Sequence, residues 1–208
     1  MEDPVSFSGW TSHRDRGALL GDQEPRSGRV YTMYHGTHTR DAPAIISRGF
    51  RRSADGLLGA GVYVSRNIRK AECYPLGAHQ NDRVVLKLSV RVGRVKRIDR
   101  DHHPQQKSWH QDGYDCAWVP PNCGVSAIKS GREEDCVWDP GRIAVVDVAR
   151  CADERARREL RGLIRARAAP GHACPRCHQD DPAGQHRVER CPACAKAVCP
   201  FQSRHKCA

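Results

Sequence analysis

Between residues 29 and 98 the spacing of apolar positions changes repeatedly, and each change marks an element. The segment 29–35 (RVYTMYH) is rich in β-formers and ends at Gly36, which predicts a strand emptying into a tight loop. The period then lengthens. Thr39 is placed to cap a short helix through Asp41, Ala44, Ile45 and Ile46, with Gly49 as its left-handed stop and Phe50 as an anchor beyond it. Gly56, Gly59 and Gly61 bracket a turn before a short strand at 62–64, and Ser65 is placed to cap a helix running towards Tyr74 and Pro75. A strand-loop-helix unit is thus expected twice.

From 83 to 98 apolar residues partly alternate with polar ones, which predicts one long or bent strand with a bulge at Gly93. The stretch 101–130 is rich in His, Pro, Gly and Gln and reads as a long loop carrying Trp109, Tyr114 and Trp118. Strands are expected at 136–138 and 143–149, separated by the turn Asp139-Pro140-Gly141. Residues 152–168 are strong helix formers with many arginines and a narrow apolar stripe of Leu160, Leu163 and Ile164, which predicts an exposed linker helix or a basic helix that tracks phosphates. The fold class is therefore α+β, mostly strands with few helices.

The 208 residues suit one ordinary domain of roughly 100 to 150 residues and a small appendage. We divide the chain into a polar segment 1–27, a main domain 28–150, a basic linker helix 151–169 and a cysteine-rich module 170–208. No apolar run resembles a secretory signal or a membrane span, so a soluble, cytoplasmic protein that makes no use of a membrane is expected. Five of the eleven cysteines are scattered singly, whereas Cys174, Cys177, Cys191, Cys194, Cys199 and Cys207 crowd the tail. Two Cys-x-x-Cys knuckles, Cys174 with Cys177 and Cys191 with Cys194, have the spacing that wraps one tetrahedral zinc. The tail has few large apolar residues, so metal binding, worth about 10 kcal/mol in small zinc modules, would supply most of its folding energy. Cys199, His205 and Cys207, with His172, His178 or His186, are candidates for a second site. A formal charge of +11 favours polyanionic partners, and RNA binding through the basic tail is one expectation.

Three local patterns carry candidate chemistry. Tyr34-His35-Gly36-Thr37 sets an imidazole beside a glycine whose backbone a flat ligand can approach. Tyr63 and Tyr74 offer two aromatic faces for a flat heteroaromatic ring, and Glu133-Glu134-Asp135 places an acidic cluster at the head of a strand. Each alone has an ordinary explanation: a turn histidine, two core tyrosines, a solvated acidic cluster.

Taken together in this order, the three patterns resemble the histidine-tyrosine-glutamate signature of the poly(ADP-ribose) polymerase-like ADP-ribosyltransferases, matching His35, Tyr63 and Glu134. More narrowly, the stretches 31–36, 58–75 and 113–140 are similar to the grass carp reovirus-induced gene family of interferon-inducible antiviral fish proteins, a likeness that covers roughly residues 7–150. The resemblance implies a split antiparallel sheet that binds NAD. It implies that His35 holds the adenosine ribose, that Gly36 pairs with the nicotinamide amide, and that Tyr63 and Tyr74 flank nicotinamide. Glu134 would bind the nicotinamide-ribose hydroxyl and stabilise an oxocarbenium-like transition state. Where the wider family often has a serine bonded to the carboxamide, this chain has Ala71, which implies weaker NAD binding.

Three functions remain open at this stage. The first is an NAD-dependent ADP-ribosyltransferase acting on protein or nucleic acid in antiviral innate immunity. The second is a catalytically silent adaptor of the same fold that binds RNA or a signalling protein. The third is phosphate transfer from RNA to NAD, which needs a basic pocket.

Overall fold

In the computed structural model the described residues are 23–167 together with 6–7, 10–11, 13–14, 189–190 and 197–199. Near the N-terminus lie β1 (Ser6–Phe7), β2 (Trp10–Thr11) and β3 (His13–Arg14). The body then runs β4 (Arg29–His38), α1 (Ala42–Arg48), β5 (Val62–Val64), α2 (Ile68–Ala71), β6 (Arg83–Arg91), β7 (Val95–Arg97), β8 (Cys116–Val119), β9 (Glu134–Val137), β10 (Ile143–Cys151) and α3 (Glu154–Arg167). β11 (Glu189–Arg190) and β12 (Ala197–Val198) form a short antiparallel pair near the C-terminus. The architecture is mixed α+β with few helices. Two four-stranded sheets dominate it, ordered β10-β6-β4-β3 and β5-β9-β8-β7. Pairing is antiparallel except at one edge of each sheet, where β3 runs parallel to β4 and β7 parallel to β8. No helix among the described residues is long and apolar enough to cross a membrane.

A backbone bridge joins the two sheets. Tyr34 of β4 and Ser65, just past β5, exchange backbone hydrogen bonds of 2.7 and 3.0 Å, and the strands diverge from there. β4 and β6 pair without interruption from Val30 to His38, so the strand expected to stop before Gly36 continues two residues beyond it. The long strand expected over 83–98 is instead two strands, β6 in the first sheet and β7 in the second. Gly93 makes this crossing: its φ is 59°, and a Cβ there would run into the Asp115 side chain. Asp115 holds the turn by accepting from the Arg94 amide (2.8 Å) and pairing with Arg142 (2.6 Å).

The larger core draws on both sheets, with Val62, Val64, Cys116 and Val137 of the second sheet joining the first sheet's residues. Tyr31, Met33, Val84, Leu86, Leu88 and Val90 pack under α1 and α3, with Ile46, Leu160 and Ile164 closing that layer. A second cluster of Leu58, Ile98, Trp109, Ala117, Val119 and Cys136 forms around the other sheet. Trp109 is fully buried and its indole N–H donates to the Leu58 carbonyl at 2.7 Å, so much of the 101–130 stretch is a wrapped layer and not a free loop. It also contains β8, a central strand buried at every residue, whose run Cys-Ala-Trp-Val shows no alternation.

Helix positions also differ in detail from expectation. α1 starts after Asp41, not Thr39, with Pro43 in its first turn. α2 is only four residues long and Asn67, not Ser65, caps it by accepting from the Arg69 amide. α3 is docked, with Leu160 and Ile164 buried and Arg161 bridging to Asp147 at 2.8 Å, so the narrow stripe is a packing face and the helix is not a solvated connector.

Candidate active site

The fork between the sheets opens a cleft of about 130 Å³ lined by Tyr34, His35, Gly36, Tyr63, Val64, Ser65, Lys70, Ala71, Tyr74 and Glu134. All five residues expected to form a ligand site (His35, Gly36, Tyr63, Tyr74 and Glu134) line this one cleft, though they span a hundred positions of sequence. β4 supplies the first two, β5 Tyr63, the segment after α2 Tyr74, and the first residue of β9 Glu134.

His35 ties the fork together. Its Nδ1 lies 2.7 Å from the Tyr63 carbonyl, an acceptor, so Nδ1 carries the proton and donates it. The neutral ring then presents Nε2 as an acceptor. Phe50 meets the imidazole edge-on at 5.0 Å between centroids. Burial lowers the His35 pKa below the ordinary 6.5, against a smaller upward pull from the Tyr63 carbonyl. The unfolded chain therefore binds more protons than the folded one just below pH 6.5. His35 stabilises the fold fully above that pH, and the contribution is lost as pH falls through its folded pKa. We expect denaturant midpoints to decline from pH 7 to 5, and the decline to shrink in His35→Gln; equal slopes in both proteins would contradict this assignment.

Gly36 is required by close approach. A Cβ at this position would collide with the Ala71 carbonyl oxygen and come within 2.8 Å of the Tyr74 carbonyl oxygen, so glycine lets α2 and the segment after it lie flat against β4. Tyr63 is pinned at both ends. Its hydroxyl donates to the Gly59 carbonyl (2.7 Å) and accepts from the Leu58 amide (2.9 Å), so the ring stands as a fixed wall. Burial pushes its phenol far above the ordinary value, so the hydroxyl stays protonated. Tyr74 also lines the cleft and is 41% exposed.

The acidic cluster divides by strand alternation. Glu134 faces the cleft, whereas Glu133 and Asp135 face inward at 1% and 0% exposure, so the solvated reading of this cluster does not hold. Glu133 Oε1 accepts from Ser65 Oγ (2.6 Å), the Arg66 amide (2.8 Å) and the Asn67 amide (3.1 Å), which fixes the turn that launches α2. Burial and the neighbouring Glu133 push the Asp135 carboxyl well above the usual carboxylate range.

Lys70 joins the expected set. Its Nζ sits 2.5 Å from Glu134 Oε2 in a pair whose side chains are 8% and 14% exposed. The ammonium fixes the carboxylate at the cleft wall and neutralises it before any ligand enters. A lysine between Arg69 and Ala71 on a short helix reads as surface charge, and no sequence signal separates it from its neighbours.

The cleft can hold a flat aromatic group between Tyr63 and Tyr74, accept a hydroxyl donor at His35 Nε2, and place one anchored carboxylate against developing positive charge. Among the described residues no group of three or more His, Cys, Asp or Glu is arranged to hold a metal. Cys174, Cys177, Cys191 and Cys194 lie outside the described residues, as do His205 and Cys207; Cys199 is described and buried. Compared with known proteins, the sequence matches no protein-family model and no curated protein.

Proposed function

We propose that the cleft binds NAD and that the chain transfers ADP-ribose from it to an acceptor, in the antiviral setting implied by the sequence resemblance. The observation that carries this reading is the gathering of His35, Gly36, Tyr63, Tyr74 and Glu134 around one cleft at the split between two sheets. The split-sheet architecture is the one the ADP-ribosyltransferase resemblance implies, and His35, Tyr63 and Glu134 keep its order.

In this reading nicotinamide lies between the rings of Tyr63 and Tyr74, and the neutral His35 accepts a hydrogen bond from the adenosine ribose. Glu134 accepts from a hydroxyl of the nicotinamide ribose. As the glycosidic C–N bond breaks, nicotinamide leaves neutral with the bonding electron pair, and the carboxylate stabilises the positive charge growing on the ribose. Lys70 acts through Glu134 as a positioning residue. Because the carboxylate is held before substrate arrives, little reorganisation is needed at the transition state. Phosphate transfer from RNA would need a basic pocket, whereas among the described residues that line the cleft Lys70 is the one Lys or Arg, and it is paired with Glu134.

Ala71 lines the cleft, where it offers no hydroxyl to a carboxamide. A net hydrogen bond is worth about 1 kcal/mol, so Ala71→Ser is expected to tighten NAD binding about fivefold. Nicotinamide release from NAD by the two proteins, followed against NAD concentration, tests both the activity and the subsite. Release with a lower KM in Ala71→Ser supports the reading, and no release from either protein overturns it.

The tail reading stands beside this one: Cys174, Cys177, Cys191 and Cys194 bind one structural zinc, on the strength of their spacing. Zinc analysis of the purified chain is expected to give about one equivalent, lost when Cys174 and Cys177 are replaced by serine.

A further inference from the structure

Behind the wall formed by Glu134, its two acidic neighbours are buried side by side. Glu133 and Asp135, two residues apart at the head of β9, face the same way at 1% and 0% exposure, and the Asp135 carboxyl lies within hydrogen-bonding reach of Glu133. Glu133 Oε1 is taken by three donors, Ser65 Oγ and the Arg66 and Asn67 amides. Its second oxygen, Oε2, and both oxygens of Asp135 have no donor among the described residues. Arg66 Nε lies 3.9 Å from Asp135 Oδ2, too far for a hydrogen bond.

Two ionised carboxylates in this place would leave three buried acceptor oxygens without a donor and set like charges against each other. One proton relieves both faults. A protonated Asp135 carries an O–H that Glu133 Oε2 can accept, and the pair then holds a single negative charge beside the Arg66 guanidinium. The groups around Asp135 act in the same direction. Burial and the neighbouring Glu133 push its carboxyl well above the usual carboxylate range, against downward pulls from Arg66 and, on α2, Lys70. On β8, where Trp118 is the cross-strand partner of Asp135, burial holds the Cys116 thiol well above its ordinary value and so neutral.

We propose that Asp135 keeps its proton in the native protein and shares it with Glu133, and that this shared proton positions the α2 side of the cleft. What that positioning serves rests on the reading of the cleft as an NAD site. The chain of contacts is short: Glu133 holds the turn at 65–67, the turn launches α2, and α2 carries Lys70 and Ala71 into the cleft wall. Asp135 does not line the cleft and acts through Glu133, as a positioning residue. Loss of the proton sets two carboxylates against one guanidinium and loosens the hold of Glu133 on the turn.

The test uses the full chain and two variants. Asp135→Asn keeps the size of the side chain and supplies an N–H to Glu133 Oε2 without a titrating proton, whereas Asp135→Val suits a strand but offers no donor. Infrared spectra at pH 7, where ordinary carboxyls are ionised, are expected to show a protonated-carboxyl band in the native protein that is missing from Asp135→Asn. Exchange of the Arg66 and Asn67 amides, which donate to Glu133, is expected to quicken about tenfold in Asp135→Val and to stay near the native rate in Asp135→Asn. Absence of the band from the native protein, or its persistence in Asp135→Asn, overturns the shared proton. Exchange that is unchanged in Asp135→Val, or equally fast in both variants, overturns its hold on the turn. Neither readout involves NAD, so a native protein that fails to bind an NAD analogue overturns the reading of the cleft and leaves the shared proton to be decided by the infrared and exchange results.

Discussion

Glu134→Gln is expected to slow NAD-dependent transfer by about 10²- to 10³-fold in kcat, the usual cost of removing one preorganised electrostatic contact from a transition state. Glutamine keeps the size of the side chain, and its carbonyl oxygen can still accept from Lys70, whose Nζ lies 2.5 Å from the carboxylate in the native protein. On the proposed reading, what is lost is the negative charge that would face the ribose as nicotinamide departs. The loss should therefore fall on kcat more than on KM, because the contact matters most in the transition state. Steady-state nicotinamide release measures both terms, and a thermal melt reports whether the fold survives. A cooperative melt with an unchanged rate would remove Glu134 from the chemistry.

The neighbouring residue should behave oppositely. Glu133→Ala is expected to destabilise the protein by about 3 to 5 kcal/mol, since it strips a buried carboxylate from three donors, Ser65 Oγ and the Arg66 and Asn67 amides. Against a total stability of about 5 to 15 kcal/mol for an ordinary domain, that is a large fraction. Glu133→Gln retains an acceptor oxygen and should cost about 1 to 2 kcal/mol. Urea titration of the three proteins measures these differences through the midpoint. An alanine variant whose midpoint matches the native protein would show that the turn into α2 does not depend on Glu133. The two adjacent glutamates are thus separable: one holds the wall of the cleft in place, the other faces its contents.

This division explains what was legible in the sequence. The strand carrying His35, the turn before Tyr63 and the strand after the acidic cluster all announce themselves through β-formers and glycines, because their local chemistry agrees with the fold around them. Side-chain period 2 on a strand would also sort Glu133 from Glu134, but only once the strand is known to begin at Glu134 and not at Cys136. The burial of β8 was hidden because a central strand covered on both faces does not alternate, and the polar residues around Cys116 to Val119 resemble a loop. Lys70 was hidden for a different reason. Its partner is 64 residues away, and nothing local distinguishes a lysine that reaches inward from one that reaches water. Gly93 is intermediate: a glycine suggests a bulge, but that the chain changes sheets there depends on Asp115 filling the space a side chain would need.

The division of α3 follows the same logic. Three apolar residues among many arginines suggest an exposed helix, yet Leu160 and Ile164 are enough to seat it on β10 and α1, with the Arg161–Asp147 contact at 2.8 Å fixing its rotation. Basic residues on such a helix need not signal a nucleic-acid surface, since Arg155, Arg157 and Arg161 each face a carboxylate.

The central claim is that the fork between the sheets is an NAD site, and calorimetric titration with a non-hydrolysable NAD analogue tests it most directly. The account predicts saturable one-site binding to the native protein, abolished in Tyr63→Ala, which removes one of the two aromatic walls. A native protein that gives no saturable binding would contradict it.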